Sequence, residues 1–249
     1  MALITTARTT FTGIGLASLL ATFGVHAGEL ISNGGFETGD FTAWNVYGAG
    51  TTGAVSVESG LVAPNSLKPT VGPASGIYYA LMDEPVASAN ALIQTFSTGP
   101  VQSAVLSFNM FVNDHNPSGE VLIDPTGLDA TTGGPYSPNQ HARVDLLSVS
   151  ASPFDTGAGV LKTFYLGGGT GRLFNNPYTA FAGFDVTDVL AAGGTFQLRF
   201  AEVNNQDFFN VGVDNVSLQV TPVPEASTWA MMLAGLALTG LITHRRRQA

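Results

Sequence analysis

The chain is organised as short runs of alternating apolar and polar residues, separated by clusters of glycine, proline and asparagine. Alternation with a period of two, bounded by turn-forming residues, is typical of antiparallel strands. The pattern predicts nine strands, at residues 54–57, 76–81, 92–96, 105–112, 142–149, 160–166, 180–186, 195–203 and 211–220. In the last of them the alternation slips by one residue at Asp214 and Asn215.

Helical patterns are scarce in this part of the chain. One short helix is predicted at residues 185–192, where Gly193 and Gly194 end it. Many strands with so little helix predict an all-β domain, an antiparallel β-sandwich or jelly roll, over residues 28–221. We expect an N-terminal signal helix and a C-terminal transmembrane helix to flank this domain.

The first 27 residues have the pattern of a secretory signal peptide. Arg8 precedes the uncharged stretch 11–25, and the small residue Ala27 follows it. This order of features predicts export, with cleavage after Ala27. An uncleaved N-terminal anchor is the alternative, which the three glycines of the stretch disfavour.

The C-terminal tail, residues 222–249, combines an apolar run with a cluster of positive charges. Residues 229–243 carry no charge, and as a helix they would span roughly 22 Å, short of the roughly 30 Å of a bilayer core. By the positive-inside rule, Arg245, Arg246 and Arg247 would stay cytoplasmic. We therefore expect the tail to insert into the inner membrane, at least initially, with its C-terminus in the cytoplasm.

The amino-acid composition limits which partners the domain can bind and which reactions it can catalyse. Residues 28–221 hold five lysines and arginines against seventeen aspartates and glutamates, a net charge of −12. Nucleic acid is an unsuitable partner for such a domain, because neutralising phosphates needs clustered basic residues. The chain has no cysteine, which excludes disulfides and thiol catalysis.

Both ends of the domain resemble jelly-roll carbohydrate-binding modules. The opening, LISNGGFETGDFTAW at residues 30–44, resembles their first strand, and FFNVGVDNVSL at residues 208–218 resembles their last. The resemblance implies a structural Ca²⁺ held by Glu37 and Asp214, with main-chain carbonyls near Thr38 and Asp40 completing the shell. The alternative is a solvent-exposed Glu37 and an Asp214 that caps a bulge.

The tail resembles the PEP-CTERM sorting signal. Val223, Pro224 and Glu225 precede the short apolar run and the arginines, in the order that the family shows, with Ala226 in place of a second proline. The resemblance implies an exported protein of bacteria that make exopolysaccharide, and a membrane protease (an exosortase) that cuts near Pro224 and Glu225.

Candidate ligand-binding residues are of two kinds. Sugar rings stack on exposed aromatic residues, and the candidates by type are Trp44, Tyr47, Tyr78, Tyr79, Tyr136, Phe208 and Phe209. The long segment 113–140 offers oxygen and nitrogen atoms for a cation or for sugar hydroxyls, at Asp114, His115, Asn116, Asp124 and Asp129. A solvated surface loop is the alternative for this segment.

Signatures of an enzyme are weak. His115 and His141 lack the spacing of metal ligands, the sequence has neither H-E-x-x-H nor G-x-S-x-G, and the glycine run 166–173 fits neither phosphate-binding template. Glu58, Glu120 and Glu202 could supply a glycosidase pair. We expect a non-enzymatic envelope or exopolysaccharide protein that binds glycan; the alternatives are a secreted hydrolase and a permanently anchored single-pass surface protein.

Overall fold

The computed structural model describes residues 27–48, 54–116, 123, 127–130, 138–168, 175–224 and 226–248. The signal peptide predicted at residues 1–27 therefore lies outside the described residues except for Ala27. The described chain forms eleven strands: β1 (Gly28–Glu29), β2 (Asn45–Gly48), β3 (Val55–Glu58), β4 (Tyr79–Glu84), β5 (Ser88–Thr98), β6 (Val101–Asp114), β7 (His141–Ser148), β8 (Val160–Gly167), β9 (Thr179–Asp185), β10 (Gly194–Asn204) and β11 (Phe209–Pro222). Two helices accompany them, α1 (Thr187–Leu190) and α2 (Ala226–Gln248).

The strands form two antiparallel sheets. Sheet A has the order β3-β4-β11-β6-β9, with β1 added to β11, and sheet B has the order β2-β5-β10-β7-β8. Strands β4 to β11 alone give the orders 4-11-6-9 and 5-10-7-8, which are those of an eight-stranded jelly roll. The predicted fold class, an antiparallel β-sandwich of the jelly-roll type, is confirmed.

Alternation along each strand separates the core from the outer faces. In sheet A, Val211 lies opposite Met82, and both belong to the main hydrophobic core. The sheets meet there through aromatic rings, with Phe108 of β6 edge-on to Phe200 of β10 at 5.2 Å between ring centroids. Residues one position away face outward, so Asp83 of β4 lies beside Asn210 of β11 on the outer face.

Each predicted strand overlaps an observed one, and two observed strands lie outside the predictions. β1 has two residues and β2 has four exposed ones, so neither shows an apolar pattern. The strand predicted at 76–81 begins later, at Tyr79, because Ala74 to Tyr78 form a loop held by side chains from elsewhere. Helix α1 is also shorter than the predicted 185–192.

The two ends of the domain lie side by side. β1 pairs with β11 in an antiparallel register that places Gly28 opposite Val220 and Glu29 opposite Gln219. The Glu29 carboxylate accepts hydrogen bonds from Ser217 Oγ and from the main-chain N–H of Leu218, which fixes the short strand in place. The start and the end of the β-sandwich are therefore at one pole, and the β4–β5 and β10–β11 turns are at the other.

Helix α2 replaces the predicted apolar helix of residues 229–243 with a longer one. It has 23 residues and carries Arg245, Arg246 and Arg247 in its last turn. Glycines and threonines interrupt its apolar residues, and the Thr239 hydroxyl donates to main-chain carbonyls of the preceding turn. Across the described chain, no helix is both long enough and apolar enough to cross a membrane, which corrects the prediction of a transmembrane helix.

Candidate functional site

Asp214 lies at the bulge that the slip in alternation predicted. The register of β11 against β6 shifts between Asp214 and Ser217, and Asn215 adopts a left-handed backbone with φ of 53°. Asp214 Oδ2 accepts hydrogen bonds from the N–H groups of Ala74 (2.8 Å) and Ser75 (3.0 Å), and Oδ1 accepts one from Asn215 N–H (2.6 Å). Burial raises the pKa of Asp214 above its ordinary value, and these N–H groups oppose the rise.

Glu37 binds the next residues of the same loop. Its carboxylate accepts from the N–H groups of Ile77 (3.0 Å) and Tyr78 (3.1 Å). Gly76, between the two sets of contacts, has φ of 65°, and a Cβ built on it would collide with the Glu37 carboxylate. The loop of residues 74–78 is therefore shaped around two carboxylates that come from opposite ends of the sequence.

The predicted calcium pair thus contacts a common loop, as hydrogen-bond acceptors. Carboxylate oxygens suit a hard cation, and calcium needs six to eight oxygen ligands. In this structure main-chain N–H groups compete for the oxygens of both Glu37 and Asp214. Among the described residues, no group of three or more carboxylate or histidine side chains is arranged to hold a metal ion. Calcium at this place stays a prediction.

The candidate aromatic residues differ widely in exposure. Trp44, Tyr79 and Phe209 are buried, Tyr78 and Phe208 are half-buried, and Tyr136 lies outside the described residues. Tyr47 is 40% exposed and lies on β2, at the edge of sheet B. Asn45, two residues earlier on this strand, shares its face of the sheet and is also exposed. Among the candidate aromatic residues that the structure describes, Tyr47 is thus the most exposed, with Asn45 beside it.

The outer face of sheet B carries a buried ion-pair network that sequence patterns did not reveal. Asp145 accepts hydrogen bonds from Arg143 Nε (2.7 Å), Arg199 Nη2 (2.6 Å) and Thr163 Oγ1 (2.8 Å). Arg199 also donates to the main-chain carbonyls of Pro153 and Asp155, so its guanidinium ties the β7–β8 connection to the sheet. We interpret this network as structural, since it holds the β7–β8 connection against sheet B.

The described residues of the segment 113–140 hold the fold together by hydrogen bonds and do not form an open site. Asp114 Oδ1 accepts from Gln140 Nε2 (2.6 Å), and His115 Nε2 contacts Asn210 Oδ1 (3.2 Å). Asp114, His115 and Asn116 are buried, and burial lowers the pKa of His115. Asp129 is half-buried, whereas Asp124 lies outside the described residues.

The tail motif is described on both sides of Glu225, which itself lies outside the described residues. Val223 N–H donates to Pro100 O at 3.0 Å, so the chain stays attached to the domain until one residue before Pro224. Helix α2 begins at Ala226. The motif therefore occupies the short connection between the β-sandwich and this helix.

Comparison with known proteins identifies this tail. Residues 222–247 match the PEP-CTERM protein-sorting motif, which confirms the prediction. No curated protein matches the chain.

The chain is similar to several solved structures at low sequence identity. They include TmCBM61 in complex with β-1,4-galactotriose, with 15% identity, a TM-score of 0.45, and coverage of 76% of this chain and 97% of that one. The family 16 carbohydrate-binding module-2 has 12% identity and a TM-score of 0.41, and the match covers 76% of this chain and 98% of that one. The Stig cyclase Fisc from Fischerella sp. TAU has 19% identity and a TM-score of 0.43, and the match covers 80% of this chain and 100% of that one.

Proposed function

We propose that the protein is exported, sorted to the cell envelope or to extracellular polysaccharide, and cut by an exosortase-type membrane protease. The observation that carries this proposal is the sorting motif at residues 222–247. Its parts are consistent with processing, since Pro224 stands in a connection outside both the β-sandwich and α2. The three arginines of the motif close the helix that follows.

In this proposal the β-sandwich binds glycan and catalyses no reaction. Tyr47 supports glycan binding because its exposed ring offers an apolar face to a pyranose, while Asn45 on the same face of β2 can bond a hydroxyl. A net charge of −12 over residues 28–221 disfavours polyanions and favours a neutral polysaccharide.

The carboxylates considered for hydrolysis support a non-catalytic role. A glycosidase pair must flank one glycosidic bond at a separation of roughly 5–9.5 Å. Glu58 lies on β3 of sheet A, whereas Glu202 lies on β10 of sheet B and is fully buried, out of reach of a polysaccharide. Glu120 lies outside the described residues.

The glycan proposal can be tested with the purified full-length protein and a panel of neutral and acidic polysaccharides, with calcium present. We expect a Tyr47→Ala variant to weaken binding about tenfold, the effect of one lost stacking contact, and Tyr47→Phe to retain it. Val46→Ala is the matched control, because Val46 is equally exposed but points to the opposite face of β2. Flat isotherms across the panel would contradict glycan binding and leave a structural role.

A further inference from the structure

A cluster of polar side chains lies between the two sheets, at the pole opposite the chain ends. It comprises Glu84 of β4, Ser88 and Asn90 of β5, and Glu202 and Asn204 of β10; we call it the distal cluster. Their strand positions alternate with those of outward-facing residues, so they share the inner faces with Met82, Leu92 and Phe200. All five residues are buried.

Hydrogen bonds connect the side chains of this cluster, but two of its oxygen atoms take no part in them among the described residues. Asn204 Nδ2 donates to the main-chain oxygen of Glu84 (3.1 Å), and Asn90 Nδ2 donates to Glu202 Oε1 (3.1 Å). Glu202 Oε2 and Ser88 Oγ, both fully buried, have no hydrogen-bond partner within the described part of the chain. The unmatched atoms are therefore a carboxylate oxygen and a hydroxyl. They belong to paired strands and occupy diagonal positions, since Glu202 lies opposite Asn90 and Ser88 lies opposite Asn204.

The carboxylate of Glu202 also lacks a positively charged partner in the part of the chain that the structure describes, where no lysine, arginine or histidine forms an ion pair with it. Burial raises the pKa of Glu202 well above its ordinary value, and the nearby carboxylates of Asp83 and Glu84 raise it further. An unpaired buried carboxylate is strongly unfavourable, so a counter-charge or a proton is needed.

We propose that the distal cluster binds a hard metal cation such as Ca²⁺, with Glu202 Oε2, Ser88 Oγ and the Glu84 carboxylate as its protein ligands. Oxygen ligands of mixed charge, completed by water, are what calcium takes. A cleft of about 170 Å³ between residues 85–87 and 204–208 opens beside the cluster, and Asn204 borders both. The site is separate from Glu37 and Asp214, which lie at the bulge of β11.

Thermal unfolding of the full-length protein tests this proposal, first in EDTA and then with increasing calcium. At about a hundred times the dissociation constant, we expect the melting temperature to rise by roughly 5–10 °C. Glu202→Gln should abolish the rise. Ser88→Ala, which removes one oxygen without changing charge, should weaken the calcium affinity several-fold and is informative even if the glutamine variant fails to fold.

Asp214→Asn is the matched control, since it removes a carboxylate from the other candidate calcium site. A response lost in Asp214→Asn but kept in Glu202→Gln would assign the ion to the bulge and overturn the proposal. A wild-type protein indifferent to calcium, with Glu202→Gln more stable than the wild type at pH 7, would show that Glu202 is simply protonated and would overturn it too.

Discussion

Arg199 Nη2 and Asp145 Oδ2 lie 2.6 Å apart, and both side chains are fully buried on the outer face of sheet B. Removing one partner of such a pair leaves an uncompensated charge and costs roughly 3–5 kcal/mol. We therefore expect Asp145→Asn, which faces both Arg143 and Arg199, to lower the free energy of unfolding by about that amount in urea titrations.

Asp188→Asn is the matched control, because Asp188 contacts Lys162 at 3.4 Å and is largely exposed. Exposed pairs contribute at most about 1 kcal/mol. Equal losses for the two variants would contradict the structural role of the buried network.

The loop of residues 74–78 depends on Gly76. Alanine at a left-handed position costs about 1–2 kcal/mol, and at Gly76 its Cβ would also collide with the Glu37 carboxylate. We expect Gly76→Ala to destabilise the protein more than Gly183→Ala, because Gly183 has a φ of 75° but open space around it. Chemical denaturation of both variants measures the difference, and equal values would mean that Glu37 moves aside freely.

The calcium site predicted from the sequence at Glu37 and Asp214 can be distinguished from the distal cluster by melting curves. If calcium binds there, EDTA lowers the melting temperature of the wild type, and Asp214→Asn removes the calcium response while Glu202→Gln keeps it. If the two carboxylates serve only the loop N–H groups, Asp214→Asn lowers stability equally in calcium and in EDTA. Melting curves of the two variants under both conditions separate these cases.

Stability in EDTA should depend on pH through the buried carboxyls. Burial raises the pKa values of Asp114, Glu202 and Asp214, so the folded protein binds protons more tightly than the unfolded chain does. The free energy of unfolding should then fall as the pH rises above the ordinary carboxyl values of about 4, by at most about 1.4 kcal/mol per pH unit for each proton. Glu202→Gln should flatten this slope; an unchanged slope would place the titration elsewhere.

Sorting should depend on Glu225. In a host with the sorting enzyme, we expect mass spectrometry of the wild type to find C-termini near Pro224, and a Glu225→Ala variant to accumulate chains that end at Ala249. Gln248→Ala lies outside the matched residues 222–247 and serves as the control. Intact wild-type chains in such a host would refute processing at the motif.

Patterns along the chain were sufficient for the jelly roll because its long strands bury one face each. The alternation of Val211, Val213 and Val216 even located the bulge, since a one-residue slip moves side chains to the other face. Strand β2 was not predicted because all four of its residues are exposed. Burial therefore imposes no alternation of apolar and polar residues on this strand.

The polar contacts could not be predicted in this way. Asp145 and Arg199 are 54 residues apart in sequence, and both occupy outward positions that a two-layer pattern assigns to solvent. They are buried because the connection after β7 folds over them, which depends on tertiary structure rather than on strand periodicity. The pairing of Glu37 with Asp214 was inferred only from a resemblance. The loop that joins them, residues 74–78, overlaps the strand predicted at 76–81 and was not expected.

The pairing of Gly28 with Val220 has a consequence for engineering the domain. Neighbouring termini allow circular permutation, because a short linker can close them while new ends are cut elsewhere. A permutant that joins residues 28 and 221 and opens at the exposed Gly157 should keep the jelly roll, and the same geometry suits insertion of the whole domain into a surface loop of a host protein.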